Sequence, residues 1–182
     1  MDKNTIYIRF FKGVDQNSVN KLMETIEQKL TEKVERFVIL ISSPGGSVLH
    51  GLSAYNFLKG IPAEVITHNF GSVDSIATVL YCAGSKRLCV PHGRFLLHGI
   101  GFNVSANARF NEKALDEHMK RLRNERETIS RVIADSAKHS EQEVEKTMFE
   151  GTVLTAQQAK NYGLVNEIKS ELFEKNAKVI NI

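Results

Sequence analysis

The pattern of this 182-residue sequence predicts an α/β fold with a largely parallel sheet. Strand-like apolar runs alternate along the chain with segments whose apolar residues repeat at helical spacing. Residues 37–41 are continuously apolar, which is typical of a strand covered on both faces. The segment from Ile76 to Ala83 is apolar almost all round, which indicates a helix in the centre of the core. The length suits a single domain spanning residues 1–182, with or without a protruding arm.

The first part of the chain is predicted to contain three strands and two helices in alternation. Asn17 or Ser18 is a suitable N-cap for the first helix. The second helix runs from Val48 to about Leu58 and stops at residues 60–62, because proline cannot continue a helix. The strands are predicted at residues 6–11, 37–41 and 64–68, and the first helix carries Val19, Leu22, Met23, Ile26 and Leu30.

The downstream part is predicted to hold two more strands, a helix and a final short strand. Residues 86–90 and 94–97 are strand-like, with a turn at residues 91–93 between them. Thr155 and Gln158 form a capping box for a helix that ends at Tyr162-Gly163. The last strand is expected to begin at Leu164-Val165.

The segment from about residue 110 to residue 139 breaks this alternation. It is long, helical in pattern and rich in charges of both signs. Two apolar stripes flank a wholly polar centre at residues 123–128. Such a helix either projects and uses its stripes on another surface, or lies along its own domain. The stripes are formed by Leu115, Met119 and Leu122, and by Ile129, Val132 and Ile133.

Composition argues against several classes of function. The net charge is only +3, and no lysine and arginine cluster interleaves with aromatic residues, so nucleic acid is not an expected partner. Cys82 and Cys89 lie in apolar runs and are expected to be buried rather than paired or metal-bound. The histidines lack metal-site spacing, so no metal or cofactor is expected. Without an apolar leader or a membrane-length apolar run, a cytoplasmic protein is predicted.

Two glycine- and serine-containing segments and one histidine suggest catalytic chemistry. Ser75 precedes an apolar helix, where unpaired backbone N–H groups favour an oxyanion, and His98 ends another apolar run. Ser75 is therefore a candidate nucleophile with His98 as its base, and the N–H groups of Gly46 and Ile76 are candidate oxyanion donors. Gly46 belongs to the turn Ser43-Pro-Gly-Gly-Ser47. The competing interpretation is that Ser75 is a simple N-cap and His98 an ordinary histidine at a strand end.

These segments, in this order, resemble the proteolytic subunit of the Clp protease. The resemblance runs from about Ile6 to Ile168 without large gaps. It implies the ClpP/crotonase fold of repeated ββα units, a projecting handle helix at about residues 110–139, and ring oligomers that enclose the active sites. The matching motifs are Ile39-Leu-Ile-Ser-Ser-Pro-Gly-Gly-Ser-Val, Gly71-x-x-x-Ser75-x-Ala77, Ala83-Gly84-x-Lys86-Arg87, Arg94-x-x-x-His98 and Leu154-Thr-Ala-Gln-Gln-Ala-Lys-Asn-Tyr-Gly-Leu-Val165.

The chain departs from the family pattern in three places. It begins almost at the first core strand, without the segment that helps dock the ATPase, which makes an ATPase partner doubtful. The family's catalytic aspartate falls at Gly151, so Glu150 is the nearest candidate for the third catalytic residue. Residues 151–155 look more like signal peptide peptidase A relatives, which use a serine–lysine dyad. Asp74 precedes the nucleophile and either opposes ionisation of Ser75 or serves as a cap or ion-pair partner.

The leading prediction is a serine peptidase that cleaves peptides or unfolded polypeptides and assembles as a homo-oligomeric ring. One alternative is a pseudoenzyme that keeps the scaffold but has a degraded triad. A crotonase-type enzyme acting on acyl-CoA thioesters would need acid and base carboxylates instead of the serine. A serine–lysine peptidase would use Lys113 or Lys120 as its base.

Overall fold

A computed structural model describes residues 4–102 and 104–182. Residues 1–3, which contribute to the expectation that no leader is present, lie outside that part of the chain. The strands are β1 (Thr5–Phe10), β2 (Arg36–Ser43), β3 (Glu64–Asp74), β4 (Lys86–Cys89), β5 (Arg94–Leu97), β6 (Thr152–Thr155), β7 (Glu167–Ile168) and β8 (Val179–Asn181). The helices are α1 (Gln16–Thr31), α2 (Val48–Gly60), α3 (Ala77–Cys82), α4 (Glu112–Ala137), α5 (Glu141–Phe149) and α6 (Ala156–Asn161).

The strands form one sheet whose main path is β6-β5-β3-β2-β1-β8, and the largely parallel sheet that the alternating pattern predicts is confirmed. Neighbours are parallel, except that β6 runs antiparallel to β5. β4 lies beside the first half of β3 and β5 beside its second half. β4 and β5 are therefore two successive partners of one long strand rather than a hairpin.

The main core lies on the helix-covered face of the sheet, and a smaller apolar cluster lies on the other face. The strictly apolar run 37–41 supplies both, since Phe37, Ile39 and Ile41 face the main core while Val38 and Leu40 face the smaller cluster. The C-terminal segment covers that second cluster with Leu172 and Val179. A strand buried on both faces was the expectation for this run, and the structure confirms it.

Helix α3 is buried along its whole length, as its uniformly apolar sequence predicts. The strand before this helix is longer than the predicted residues 64–68. Residues 71–74 are the end of β3, and the helix begins at Ala77. Val73 is fully buried and pairs with Phe95 of β5, so sheet pairing and burial outweigh the turn-forming glycine and serines nearby.

Two predicted element boundaries are also wrong. Asp15 caps α1, with Ser18 as the reciprocal partner of a capping box, so Ser18 lies inside the helix. Leu164 and Val165 are not a strand, because both N–H groups bond to the Ala159 carbonyl at the end of α6. Their side chains pack there in the core, and the strand follows later as β7. The capping box at Thr155 is confirmed.

The long helix α4 divides into an exposed half and a buried half. Residues 112–128 are exposed or half-buried, whereas Ile129, Ile133 and Ala134 are core residues. The second apolar stripe is therefore part of the chain's own core, which corrects the idea that both stripes serve another surface. Leu115 and Met119, of the first stripe, are 48% and 45% exposed. Among the described residues, no helix has both the length and the apolar character needed to cross a membrane.

Candidate active site

Ser75 lies in a strained turn between β3 and α3. Its φ angle is +59°, in the left-handed region that a serine rarely adopts. The Ser75 N–H donates a 2.8 Å hydrogen bond to the Leu96 carbonyl of β5, and this bond anchors the turn. Strain of this kind persists where the surrounding structure fixes it, and it is concentrated at functional sites.

The glycine turn packs directly against the serine. Gly45 has a φ of +87°, and a Cβ at that position would lie 2.6 Å from the Cβ of Ser75. Gly46 has a φ of +151°, and a Cβ there would collide with the Val14 carbonyl. Hydrogen bonds from the Val14 N–H to the Gly45 carbonyl and from the Ser47 N–H to the Val14 carbonyl fix the turn. Only glycine fits both positions.

Ser75, His98, Gly46 and Ile76 line one cavity of about 130 Å³. The hydrogen bond from the Ser75 N–H to the Leu96 carbonyl brings Ser75 close to His98, because His98 follows Leu96 by two residues. Within the described residues, neither the Gly46 N–H nor the Ile76 N–H has a partner. Apolar side chains close the rest of the cavity: Val48, Leu97, Ile100, Ile129, Ile133 and Met148. The structure thus brings together the four residues that the sequence singled out.

His98 is exposed, and in the described part of the chain its ring has no hydrogen-bond partner. Glu150, the candidate third residue, caps the C-terminus of α5 and faces Lys146, with 3.9 Å between the ionic atoms. Its side chain is 56% exposed and does not line the cavity. The structure therefore does not bring Glu150 and His98 into contact.

Gly151 and His98 directly adjoin the last residue pair of β5 and β6. That pair is Leu97 with Thr152, and His98 follows Leu97 while Gly151 precedes Thr152. A Cβ built on Gly151 meets nothing within 4 Å, although its φ is +67°. Aspartate is one of the residues that tolerate this backbone region best. A carboxylate at position 151 would thus have both room and the right neighbour.

Asp74 is an ion-pair partner, one of the alternatives that the sequence left open. Its carboxylate accepts a 2.6 Å hydrogen bond from the Ser72 hydroxyl and a 3.1 Å hydrogen bond from the Arg94 guanidinium. Arg94 therefore compensates the negative charge that precedes Ser75.

The lysines of the serine–lysine alternative lie away from the cavity. Lys113 and Lys120 are on the exposed half of α4, with side chains 86% and 68% exposed. The carboxylate of Asp116 raises the pKa of Lys120, which opposes its use as a base. No carboxylate is found among the described residues that line the catalytic cavity, so the acid and base groups of a crotonase-type reaction are not present there.

Comparison with known proteins identifies the family of this architecture. A model of the Clp protease family matches residues 3–171. The chain belongs to the Clp protease family. The ClpP-like fold that its motifs predicted is confirmed by a mutant of ClpP1 from Listeria monocytogenes, which superposes with a TM-score of 0.81. That structure is 24% identical, with 92% of each chain covered, and shows the likeness of fold alone.

Curated Clp protease relatives are similar over most of the chain. The ATP-dependent Clp protease proteolytic subunit 3 of Synechococcus sp. (strain CC9605) is 29% identical over 134 residues, which are 72% of this chain. The chain spans 66% of that subunit's length. Proteolytic subunit 2 of Corynebacterium diphtheriae is 30% identical over 158 residues, covering 85% of this chain and 77% of the subunit. The similarity of residues 151–155 to signal peptide peptidase A stays a prediction.

The sequence did not reveal that helices α4 and α5 form part of the wall of the catalytic cavity. Ile129 and Ile133 were recognised as an apolar stripe, but their place beside Ser75 was not. Met148 belongs to α5, an element that the sequence analysis did not predict. The signal was available, since Ser140 and Glu143 form a capping box at the start of α5.

The two cysteines are buried and unpaired, as their apolar surroundings in the sequence predicted. Burial raises the pKa of the Cys82 thiol to about 11 and that of the Cys89 thiol to about 12.

Proposed function

We propose that the chain is a serine peptidase that cleaves peptides or unfolded polypeptides with Ser75 as nucleophile and His98 as base. One observation carries the proposal: the strained Ser75 turn shares a cavity with His98 and two unpartnered backbone N–H groups. Family membership supports the same reaction. The apolar walls favour an apolar substrate side chain, because burying it there removes apolar surface from water.

The proposed reaction cycle uses Ser75, His98 and the two backbone N–H groups in turn. The Ser75 hydroxyl attacks the scissile carbonyl carbon while His98 takes its proton, and the Gly46 and Ile76 N–H groups stabilise the oxyanion. His98 then gives the proton to the leaving amine, and an ester on Ser75 remains. Water attacks the ester, His98 again transfers the proton, and the acid leaves. The absence of a Ser75–His98 hydrogen bond among the described residues is compatible with this role, since catalytic hydrogen bonds often form or tighten only on substrate binding.

A fluorophosphonate probe tests the nucleophile directly. The probe should label Ser75, as read by mass spectrometry of the labelled peptide, and Ser75→Ala should lose both labelling and peptide cleavage. Ser47→Ala is the matched control, because the Ser47 hydroxyl lies 2.9 Å from His50 Nδ1 and forms a second serine–histidine pair near the cavity. Labelling that survives in Ser75→Ala but disappears in Ser47→Ala would overturn the assignment.

The third catalytic residue is a separate question. Glu150 is the carboxylate nearest in sequence to the family position, but it does not line the cavity. We propose Gly151→Asp as the variant that places a carboxylate near His98. In serine proteases, replacing the triad aspartate by asparagine lowers kcat about ten-thousandfold, so we expect weak peptidase activity in the natural sequence. Gly151→Asp should raise kcat. If Glu150 has this role, Glu150→Gln should lower kcat, and an unchanged rate would exclude it.

The second candidate function is an inactive scaffold of the Clp family. The observation that favours it is the His98 ring, which has no carboxylate partner among the described residues. The same probe separates the two, since a scaffold would assemble normally without any labelling at Ser75.

A further inference from the structure

A second cavity of about 380 Å³ adjoins the catalytic cavity. The two cavities share Gly46, Val48 and Gly101, so they are adjacent. The second cavity runs outward along α4 and is lined on its other side by Leu49 and Phe102. A peptide whose one side chain enters the catalytic cavity would place a neighbouring part of its chain here.

One face of α4 lines both cavities. Ile129 and Ile133 face Ser75, and Glu125 lies one helical turn before Ile129 on the same face. Glu125 thus continues the wall of the catalytic cavity into the second cavity. Its side chain is 21% exposed, whereas that of Glu150 is 56% exposed. Glu125 is the carboxylate that the described part of the chain places in this groove.

Arg121 lines the second cavity together with Glu125 and neutralises its carboxylate. The Arg121 Nε donates a 2.8 Å hydrogen bond to Glu125 Oε1, but the arginine side chain is 72% exposed. An ion pair with so exposed a partner contributes little to stability. A cation that approaches from the groove can therefore replace Arg121 at small cost, while Glu125 keeps its partly buried position.

His118 fixes the outer end of the groove without competing for the carboxylate. Its ring stacks on Phe102, with 4.7 Å between ring centroids and 10° between planes, and Phe110 packs edge-on at 5.3 Å. Phe102, His118 and Leu122 line the groove around the Glu125 carboxylate and its partner Arg121. Such a lining suits a side chain with a long apolar stem and a cationic end.

We propose that Glu125 determines specificity by binding a lysine or arginine side chain of the peptide next to the residue held in the catalytic cavity. The substrate cation exchanges with Arg121. This inference rests on the proposed function for the identity of the ligand as a peptide, but it requires binding rather than cleavage.

Peptide binding to the full-length Ser75→Ala variant tests the subsite without turnover. Fluorescent peptides that place lysine or norleucine at each position in turn differ by one charge on nearly the same stem. At one position the lysine peptide should bind about fivefold more tightly than the norleucine peptide, as measured by fluorescence anisotropy. That ratio of dissociation constants corresponds to about 1 kcal/mol. Raising the salt concentration should reduce that preference.

Glu125→Gln in the same background should abolish the lysine preference and leave norleucine binding unchanged. Arg121→Gln should keep or increase the preference, because the competing cation is gone. Glu117→Gln is the matched control on the same helix, since its side chain is 66% exposed and lies outside the groove. Equal lysine preference with and without Glu125, or failure of every peptide to bind, would overturn the proposal. A preference that depends on Glu125 in a protein whose Ser75 is never labelled would keep the subsite and reject the peptidase.

Discussion

The two halves of helix α4 have opposite surroundings. The buried half holds Ile129 and Ile133, which are 5% and 1% exposed and form a wall of the catalytic cavity. Its end is clamped by Arg87, whose Nη2 donates a 2.8 Å hydrogen bond to the Ser136 carbonyl. The exposed half carries Leu115 and Met119, each nearly half exposed.

This difference teaches that one helix can be anchored in the core at one end and remain exposed at the other. The exposed half carries its own i,i+4 ion pairs, such as Lys120 with Asp116 at 2.7 Å and Arg121 with Glu125 at 2.8 Å. Such pairs keep the helix formed without fixing it to the core. Apolar residues there remain available for contacts with other chains.

Truncation of an apolar residue should show the largest contrast between the halves. Ile133→Ala should lower the free energy of unfolding by about 2–4 kcal/mol, because it removes buried methyl groups and leaves a cavity. Leu115→Ala should change it by less than about 0.5 kcal/mol, since Leu115 is half exposed. Urea unfolding of both variants measures the difference. Equal losses would show that the exposed half is part of the cooperative core.

The sequence revealed the parallel fold and the four cavity residues because each has a local signal. Apolar periodicity marks strands and helices, and a glycine pair or a serine before an apolar helix marks a turn with unpaired N–H groups. No local signal shows which of the two apolar stripes of α4 is buried, because Leu115 and Ile133 have similar surroundings in the sequence. Their difference depends on where the helix leaves the core, which is set by packing against α3 and α5.

The neighbour of His98 could not be predicted for the same reason. Its proximity in the chain path to Gly151 follows from the antiparallel register of β5 and β6, which ends at Leu97 and Thr152, and β6 was not predicted as a strand. The extra length of β3 was missed because burial of Val73 and its pairing with β5 override a glycine- and serine-rich local sequence.

Charge substitution on the exposed half tests whether this surface makes contact between chains. If the proposed ring forms and two rings stack through these helices, Leu115→Glu should halve the mass measured by light scattering. Thr128→Glu is the control, because it introduces the same charge at an exposed position away from the apolar stripe. A double ring that persists in Leu115→Glu would rule out the contact, and a monomeric wild-type protein at micromolar concentration would rule out the ring.

The helix termini should give a smaller contrast. Lys138 caps the buried end with a φ of +61°, so Lys138→Gly should stabilise the protein by about 0.5–1 kcal/mol through relief of backbone strain. Asn111 caps the exposed end by accepting a hydrogen bond from the Ala114 N–H. Asn111→Ala should loosen the first turn, seen as faster amide exchange, with little change in global unfolding. A large global loss from Asn111→Ala would contradict the independence of the exposed half.

The smallest effect concerns pH and the capping box that follows the buried end. Hydrogen bonds from the Ser140 backbone N–H and hydroxyl, followed by the charge of His139, lower the pKa of Glu143. A lowered folded-state pKa means that the stabilisation is present above the unfolded value of about 4.3 and is lost as the pH falls through the folded value.

Glu143→Gln tests this contribution, because it keeps a side-chain acceptor but removes the charge. The variant should therefore have a slightly lower urea midpoint than the wild type at pH 7, and the two midpoints should converge near pH 3. Glu117→Gln, at the exposed half, should leave the midpoint unchanged at both pH values, because its ion pair with Lys113 spans 3.9 Å between largely exposed side chains. A gap between Glu143→Gln and wild type that persists at pH 3 would mean that the amide disturbs the cap geometry itself and that charge is not the cause.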